Sequence, residues 1–131
     1  MAGNLSNYLE NKLLDHFLGT AAYTMPTTVY VGLYTVAPSD TGTGTTGGTQ
    51  VTGGSYARQT AVFSGAASGT TSNTANIDFA GMPAATTVAI GVFDALTAGN
   101  LLLWGTLTAN KTTDAGDTLR IATGDLDISI D

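Results

Sequence analysis

Residues 86–108 read TTVAIGVFDALTAGNLLLWGTLT and contain two apolar runs, 88–93 and 101–107, on either side of a turn-forming segment, 94–100. The runs are short, partly β-branched or aromatic, and bounded by Gly and Asn, which predicts a β-hairpin. Both alternating sets of side chains are largely apolar in each run, whereas a strand with one buried face alternates apolar and polar residues. We therefore expect the hairpin to be covered by a second sheet on one side and by a helix or another subunit on the other.

Residues 4–18 form the one predicted helix. Asn4 or Ser6 is a suitable N-cap, and Gly19 can close the C-terminus in the left-handed conformation. Apolar residues recur at every fourth position and form a stripe, which Leu14 and Leu18 widen. A helix of this length is marginal on its own, so we expect it to pack on the sheet or on a neighbouring subunit.

The remaining sequence is a series of short strand-like segments with alternating apolar residues, separated by Gly-, Asn- and Asp-containing turns. With the hairpin they make about seven strands. One helix followed by seven strands predicts a mainly β, single-domain protein over 1–131, in which residues 27–131 form a β-sandwich of immunoglobulin-like or jelly-roll type. The additional strands are expected at 27–35, 56–63, 74–79, 118–122 and 125–131.

Segment 38–54, PSDTGTGTTGGTQVTGG, contains six Gly and six Thr and almost no apolar side chain. This composition predicts an exposed, mobile loop. The loop is either a recognition surface or a segment that becomes ordered only against a neighbouring subunit. The candidate recognition residues, in the loop and just after it, are Asp40, Gly44, Thr46, Gln50 and Tyr56.

The composition excludes several classes of function. Only four of the 131 residues are Lys or Arg and the net charge is −6, so we expect no binding to nucleic acid. No apolar run is long enough to span a membrane, and without cysteine there are no disulfides or thiolate metal sites. Because only 11% of the residues are charged, the surface has little electrostatic protection against self-association, which favours a protein that works in an assembly.

No pattern in the sequence indicates catalysis, a cofactor or a metal. His16 is the only histidine and no nucleophile-elbow pattern accompanies it, while the acidic residues match no calcium-loop motif and no glycosidase pair stands out. We predict no catalytic, cofactor-binding or metal-ligating residues. The predicted assembly interface combines the helix stripe with large residues of the first strand and the hairpin: Leu5, Leu9, Leu13, Phe17, Tyr30, Tyr34, Leu102 and Trp104.

Six stretches that together span nearly the whole chain carry a family resemblance: LSNYLENKLLDHFLGT, TTVYVGLYTVAPSD, GGSYARQTAVF, TTSNTANIDF, VAIGVFDALTAGNLLLWGTLT and DAGDTLRIATGDLDISI. In this order and spacing they resemble a family of small virion proteins of tailed bacteriophages, often labelled tail fibre or minor structural proteins. The resemblance implies a non-enzymatic virion component and brings no catalytic residues with it.

A location within the virion is suggested by what the sequence lacks. A fibre normally needs a shaft, and the chain shows no heptads, collagen-like period or internal repeat. We therefore expect a capsid decoration (cement) protein that binds outside the head and bridges subunits of the major capsid protein or other virion proteins. It would be a homo-oligomer, with a trimer favoured, assembled into virions in the host cytoplasm. The alternative is a tail-associated fibre or tip module that binds a host receptor or glycan.

Overall fold

The computed structural model describes residues 4–130, and within them it contains one α-helix and ten short-to-medium strands. The prediction of a mainly β protein with one helix is confirmed. The strand number exceeds the expected seven because several strands have only two or three residues, too few to leave a periodic pattern in the sequence. The elements are β1 (Asn4–Leu5), α1 (Asn7–Phe17), β2 (Val29–Val36), β3 (Thr49–Gln50), β4 (Gln59–Ala61), β5 (Thr70–Ser72), β6 (Ile77–Met82), β7 (Ala85–Phe93), β8 (Leu101–Thr113), β9 (Asp117–Ile121) and β10 (Asp127–Ser129).

The main sheet has the order β1-β8-β7-β2, and both β3 and β4 pair with the outer edge of β2. The predicted hairpin is its centre: β7 and β8 are antiparallel, with Val92 opposite Leu103 and Ile90 opposite Gly105. Two two-stranded antiparallel sheets, β6-β9 and β5-β10, complete the strand pairing. The predicted Asp94–Asn100 turn is closed by the Asp94 carboxylate, which accepts hydrogen bonds from the backbone N–H and side-chain amide of Asn100.

The small sheets pack on one face of the main sheet, which gives a sandwich-like arrangement. Their apolar residues form one buried cluster with β2 and β7 of the main sheet. This layer is the second sheet expected on one side of the hairpin. Its members from the main sheet include Val31, Leu33, Ile90 and Val92, and those from the small sheets include Ile77, Phe79, Met82, Leu119 and Ile128.

The other face of the main sheet buries a second cluster, in which the rings of Tyr34 and Phe93 stack with their centroids 6.3 Å apart. Gly32 and Gly91 lie opposite each other between these rings. A Cβ at Gly32 would lie 2.9 Å from the Phe93 ring, and one at Gly91 would lie 2.9 Å from the Tyr34 ring. Two glycines in neighbouring strands therefore make the room that the aromatic rings occupy.

The prediction that a helix or another subunit covers this second face is wrong. It is the chain's own segment 38–54, together with the Asp94–Asn100 turn, that lies against it, held by Arg58. Helix α1 instead contacts β8 and β1 at the edge of the sheet. Tyr8 and Leu9 of the helix pack against the first cluster.

The predicted helix bounds of 4–18 are corrected at the N-terminal end. Residues Asn4–Leu5 are strand β1, paired with Leu103 and Trp104 of β8, and the helix begins only after Ser6. Of the two predicted N-caps, Ser6 is the one used: its Oγ accepts the Leu9 N–H at 3.2 Å. The first residues join the sheet because their backbone groups pair with an otherwise open strand edge.

At the C-terminal end the prediction for Gly19 is confirmed. Gly19 has a φ of +76°, and its N–H donates to the His16 carbonyl at 3.4 Å. The Thr20 N–H donates to the Asp15 carbonyl at 2.9 Å, which completes a Schellman motif. The helix therefore ends where the glycine allows the chain to turn.

Candidate assembly and recognition surfaces

Arg58 is the residue that fixes segment 38–54 to the sheet. Its Nη1 donates to the carbonyls of Ala95 and Ala98, both at 2.9 Å, and its Nη2 donates to the carbonyl of Gly44 at 2.6 Å. Its Nε donates to Oε1 of Gln50 at 3.2 Å. One guanidinium thus joins the long segment to the 94–100 turn, because its donors form a rigid fork that can reach several acceptors at once.

The environment of Arg58 is unusual for a cation. The side chain is only 6% exposed, and its guanidinium carbon lies 3.6 Å from the centroid of the Phe93 ring. Burial lowers the pKa of Arg58, while nearby Tyr34, Tyr56 and Asp94 act in the opposite direction. The cation is therefore stabilised by carbonyl dipoles and an aromatic face rather than by a paired carboxylate.

Segment 38–54 is exposed along most of its length, as its composition predicts, but it is anchored to the fold at a few buried positions. Gly42, Gly44 and Val51 are buried. The Gly44 N–H donates to the Gly99 carbonyl at 3.1 Å, and the Val51 N–H donates to the Leu33 carbonyl at 2.9 Å. The physical reason is that glycine exposes its backbone groups, which here serve as partners for Arg58 and for the neighbouring turn.

The five predicted recognition residues differ in their contacts and in their exposure to solvent. Gly44 and Gln50 belong to the Arg58 network, and Tyr56 is half-buried, with its hydroxyl accepting the Leu33 N–H at 2.8 Å. Thr46 is exposed, and its hydroxyl lies 2.8 Å from that of Thr43. Most of the predicted set therefore shapes the segment rather than presenting a side chain to a ligand.

Asp40, the fifth of these residues, connects the segment to the sheet edge and the helix. Its Oδ1 accepts the Trp104 Nε1–H at 3.0 Å, and its carbonyl accepts the Asn7 N–H at 2.8 Å. The side chain is exposed, so a partner could still reach it. Asp40 thus holds the start of the segment beside the first turn of α1.

A pocket of about 280 Å³ opens between segment 38–54 and the sheet. Tyr34 contributes to its lining, and the Tyr34 hydroxyl is buried with no hydrogen-bond partner among residues 4–130. Burial raises the pKa of Tyr34 to about 12. Threonine hydroxyls can both donate and accept hydrogen bonds, so the wall suits an uncharged polar ligand. The other lining residues are Thr45, Thr46, Gly47, Gly48, Thr49, Gln50 and Thr52.

The C-terminal half of α1 presents an apolar surface to solvent. Leu14, Phe17 and Leu18 are 57%, 72% and 77% exposed, and their spacing places them on one helix face. We call these three residues the helix-end patch. None of the described residues of α1 is buried, although Leu9 is half-buried and packs against the core. The predicted stripe is thus partly covered at its start and uncovered at its end.

The other predicted interface residues are less accessible. Tyr34 and Leu102 are 1% and 5% exposed and belong to the two core clusters, so neither presents a surface to a partner. Four more of the predicted interface residues are half-buried: Leu5, Leu13, Tyr30 and Trp104. Periodicity indicated that these side chains would be buried, but it could not distinguish burial in the chain's own core from burial in an interface.

A groove of about 380 Å³ lies between the main sheet and β9. It is formed where β8 bulges: Thr87 pairs with Lys111 and Ala89 pairs with Thr106, so residues 107–110 stand out of the ladder. We call this the β8–β9 groove. Its lining combines the apolar residues Leu33, Ile90, Leu107, Ala109, Leu119 and Ile121 with Thr108, Lys111, Arg120 and Asp125.

The two basic residues that line the groove, Arg120 and Lys111, differ in whether they form an ion pair. Arg120 forms a bidentate ion pair with Asp78, Nε to Oδ1 at 2.7 Å and Nη2 to Oδ2 at 2.9 Å, and this contact lowers the pKa of Asp78. Lys111 is exposed and has no ion-pair partner among residues 4–130. The groove therefore has the Lys111 ammonium and the Asp125 carboxylate on its lining beside an apolar floor.

Within residues 4–130 the structure contains no group of three or more side chains arranged to hold a metal ion. His16 is exposed, and its Nδ1 accepts the Tyr23 N–H at 3.1 Å. Over the same range, no helix is long and apolar enough to cross a membrane. The residues that the geometry singles out are therefore those of the pocket, the helix-end patch and the groove.

Comparison with known protein families shows the family to which the chain belongs. The family model described as Podophage GP4 fiber I protein gp80 matches residues 4–129. The chain belongs to this family. No curated protein matches it. Because the match covers almost the whole chain, the protein is a structural component of a bacteriophage virion, as the resemblance implied.

Proposed function

We propose that the protein is a non-enzymatic fibre module of a podophage virion, and that it binds a host receptor or glycan through the surface of segment 38–54. The fibre description of its family favours this location over the head. The observation that carries the recognition role is the pocket of about 280 Å³, whose wall is rich in threonine hydroxyls. A saccharide presents hydroxyl groups that such a wall can match.

The rigidity of the pocket wall supports this role. Arg58 holds the carbonyl of Gly44, and the turn at Thr43 is fixed by its hydroxyl, which accepts the N–H groups of Thr45 and Thr46. A recognition surface that is ordered before binding loses less conformational entropy when a ligand arrives. The polar wall also carries no formal charge, which suits a neutral sugar better than an ionic ligand.

The test is adsorption of phage that carry Thr45→Ala together with Thr52→Ala. Both side chains are exposed and line the pocket, so the change removes hydroxyls without opening the core. We expect the adsorption rate to fall about tenfold or more, which corresponds to the loss of one or two good hydrogen bonds, while virion yield stays normal. The matched control is Thr118→Ala, at an exposed position of β9 outside the pocket. Unchanged adsorption by the double variant would reject the recognition role.

Capsid decoration is the second candidate. The observation that favours it is the small sandwich itself, which has only one 11-residue helix and no shaft-like element among residues 4–130. In this role the protein would bridge major capsid proteins as a cement, assembled in the host cytoplasm. Cryo-electron microscopy of intact virions separates the two: a few copies on the tail support the fibre module, and hundreds of copies on the head support decoration.

A further inference from the structure

We propose that the sheet edge beside segment 38–54 carries a second saccharide subsite, built on the indole ring of Trp104 and the carboxylate of Asp40. This inference rests on the proposed recognition role, because it adds another contact for a neutral saccharide bound along segment 38–54. The subsite is separate from the pocket, since neither Trp104 nor Asp40 belongs to the pocket lining.

Trp104 provides the surface on which a sugar ring can stack. It is the chain's only tryptophan, and it lies on β8 next to the two-residue edge strand β1. Its side chain packs against the second cluster but is only half-buried, so part of the ring reaches solvent. The face of an indole is apolar and electron-rich, which suits the C–H groups of a pyranose ring. Its Nε1–H donates to Asp40 Oδ1 at 3.0 Å, and this bond fixes the orientation of the ring.

Asp40 provides a hydrogen-bond acceptor beside the ring. Its Oδ1 accepts from Trp104, whereas its Oδ2 makes no hydrogen bond among residues 4–130, and the side chain is exposed. An ionised carboxylate only accepts, and sugar hydroxyls can donate to it. The backbone of Asp40 is also held, because its carbonyl accepts the Asn7 N–H at 2.8 Å. A group fixed in this way loses little conformational entropy when a ligand binds.

Two exposed asparagines complete the subsite. Asn4 lies opposite Trp104 in the β1–β8 pair, so their side chains project from the same face of the sheet. Asn7 is joined to Asp40 by the backbone hydrogen bond. Neither asparagine side chain makes a hydrogen bond among residues 4–130, and an amide can both donate and accept. One aromatic ring is therefore surrounded by three polar side chains with hydrogen-bonding groups to spare.

The charge of the subsite selects an uncharged sugar. The one charged group among its four residues is the Asp40 carboxylate, and the whole chain has a net charge of −6. A sugar that carries a carboxylate or a phosphate would be repelled. A neutral hexose gains the stacking contact and the hydrogen bonds without this repulsion.

The test follows the fluorescence of Trp104, because no other tryptophan contributes to the emission. The probes are methyl α-glucopyranoside, methyl α-mannopyranoside and methyl α-galactopyranoside, each titrated into the full chain. We expect a saturable blue shift with at least one of them, since a stacked sugar displaces water from the ring, and half-saturation at about 1–10 mM. No saturable change with any of the three up to about 100 mM would overturn the proposal.

Three variants assign the binding to the subsite. Asp40→Asn keeps an acceptor for the Trp104 N–H but removes the charge, so its emission without sugar should match the wild type, while the half-saturating concentration should rise about tenfold. Asn4→Ala removes one neutral partner and should raise that concentration about threefold. The matched control is Asp127→Asn, at an exposed carboxylate on β10, which should bind as the wild type does. Equal half-saturation for Asp40→Asn and Asp127→Asn would also overturn the proposal.

The double variant Thr45→Ala, Thr52→Ala separates this proposal from the role of the pocket. Both threonines line the pocket and lie outside the subsite, so the variant should keep the wild-type blue shift. A normal blue shift together with normal phage adsorption would reject the pocket alone. Reduced adsorption by this variant, with no blue shift in the wild type, would reject the subsite alone.

Discussion

Segment 38–54 and helix α1 differ in how firmly each is joined to the rest of the fold, and neither is attached as its sequence suggests. The segment is rich in Gly and Thr, yet Gly42, Gly44 and Val51 are buried and its backbone is hydrogen-bonded to the turn and the sheet. The helix has a regular apolar stripe, yet the side chains at its end are exposed. The composition of a segment shows how many apolar side chains it could bury. Whether the segment is buried depends on which residues, distant in sequence, contact it.

The difference arises from how each region is attached. Arg58 makes four hydrogen bonds that join segment 38–54 to the 94–100 turn. The helix is attached to the sheet at its beginning, where the Ser6 hydroxyl caps it and also donates to the Leu101 carbonyl, while Leu14, Phe17 and Leu18 at its other end are exposed. The segment is therefore a part of the fold, while the free end of the helix is available to a partner.

The largest effect on this comparison is expected from Arg58→Ala. The variant removes a buried cation and its hydrogen bonds to the carbonyls of Gly44, Ala95 and Ala98, of which the Gly44 carbonyl keeps the Gln50 Nε2–H as a donor. Hydrogen bonds to charged groups contribute about 1.5–3 kcal/mol each, so the loss of several of them should lower the free energy of unfolding by at least about 3 kcal/mol. Urea denaturation followed by tryptophan fluorescence measures it.

Two further variants serve as controls for Arg58. Arg58→Lys keeps the charge but cannot reach acceptors on two sides at once, so its loss should be intermediate. Arg120→Ala removes an exposed guanidinium, whose pairing with Asp78 is screened by solvent, and its effect should be far smaller. Equal losses for Arg58→Ala and Arg120→Ala would contradict the role given to Arg58.

A smaller effect, dependent on pH, is expected from Tyr34→Phe. The Tyr34 hydroxyl is buried without a partner in the described range, so its removal should raise stability by up to about 1 kcal/mol at neutral pH. Its pKa rises from 10.0 to about 12 on folding, so wild-type stability should fall as the pH increases between these values, because the folded state disfavours the ionised form. The variant should show a shallower fall, measured by urea denaturation at several pH values. Identical slopes would argue against burial of this hydroxyl.

The smallest effect on stability is expected from Phe17→Ser. The side chain is 72% exposed, so its removal should change the free energy of unfolding by less than about 0.5 kcal/mol. The measurement uses a dilution series extrapolated to the monomer, because self-association would otherwise add to the apparent stability of the wild type. A loss as large as that of a core phenylalanine would show that the helix end is packed after all.

Local signals in the sequence were sufficient for several features. Two short apolar runs on either side of a turn-forming segment predicted the β7–β8 hairpin, and single residues predicted the helix ends, with Ser6 as one of two candidate N-caps and Gly19 as the left-handed closing residue. These features depend on neighbours within a few positions of the chain. The strand content and the one-helix, sandwich-like architecture could be predicted for the same reason.

Features that depend on long-range contacts could not be predicted. Nothing near Arg58 in the sequence indicates that it meets the carbonyl of Gly44 on one side and those of Ala95 and Ala98 on the other. The pairing of Asn4–Leu5 with β8 was missed because two residues carry no periodicity. The groove arises from a four-residue bulge in β8, which an apolar pattern does not reveal. The only sequence signal for the pocket was the density of threonine in segment 38–54.

Amide hydrogen exchange tests the central claim, that segment 38–54 is part of the fold and is held there by Arg58. In the wild type, the amides of Gly44 and Val51 should be protected, since they donate to the carbonyls of Gly99 and Leu33. In Arg58→Ala, the Gly44 amide should lose protection while the Glu10 amide, bonded to the Ser6 carbonyl in α1, keeps it. Exchange of the wild-type Gly44 amide at the rate of an unstructured peptide would contradict the claim.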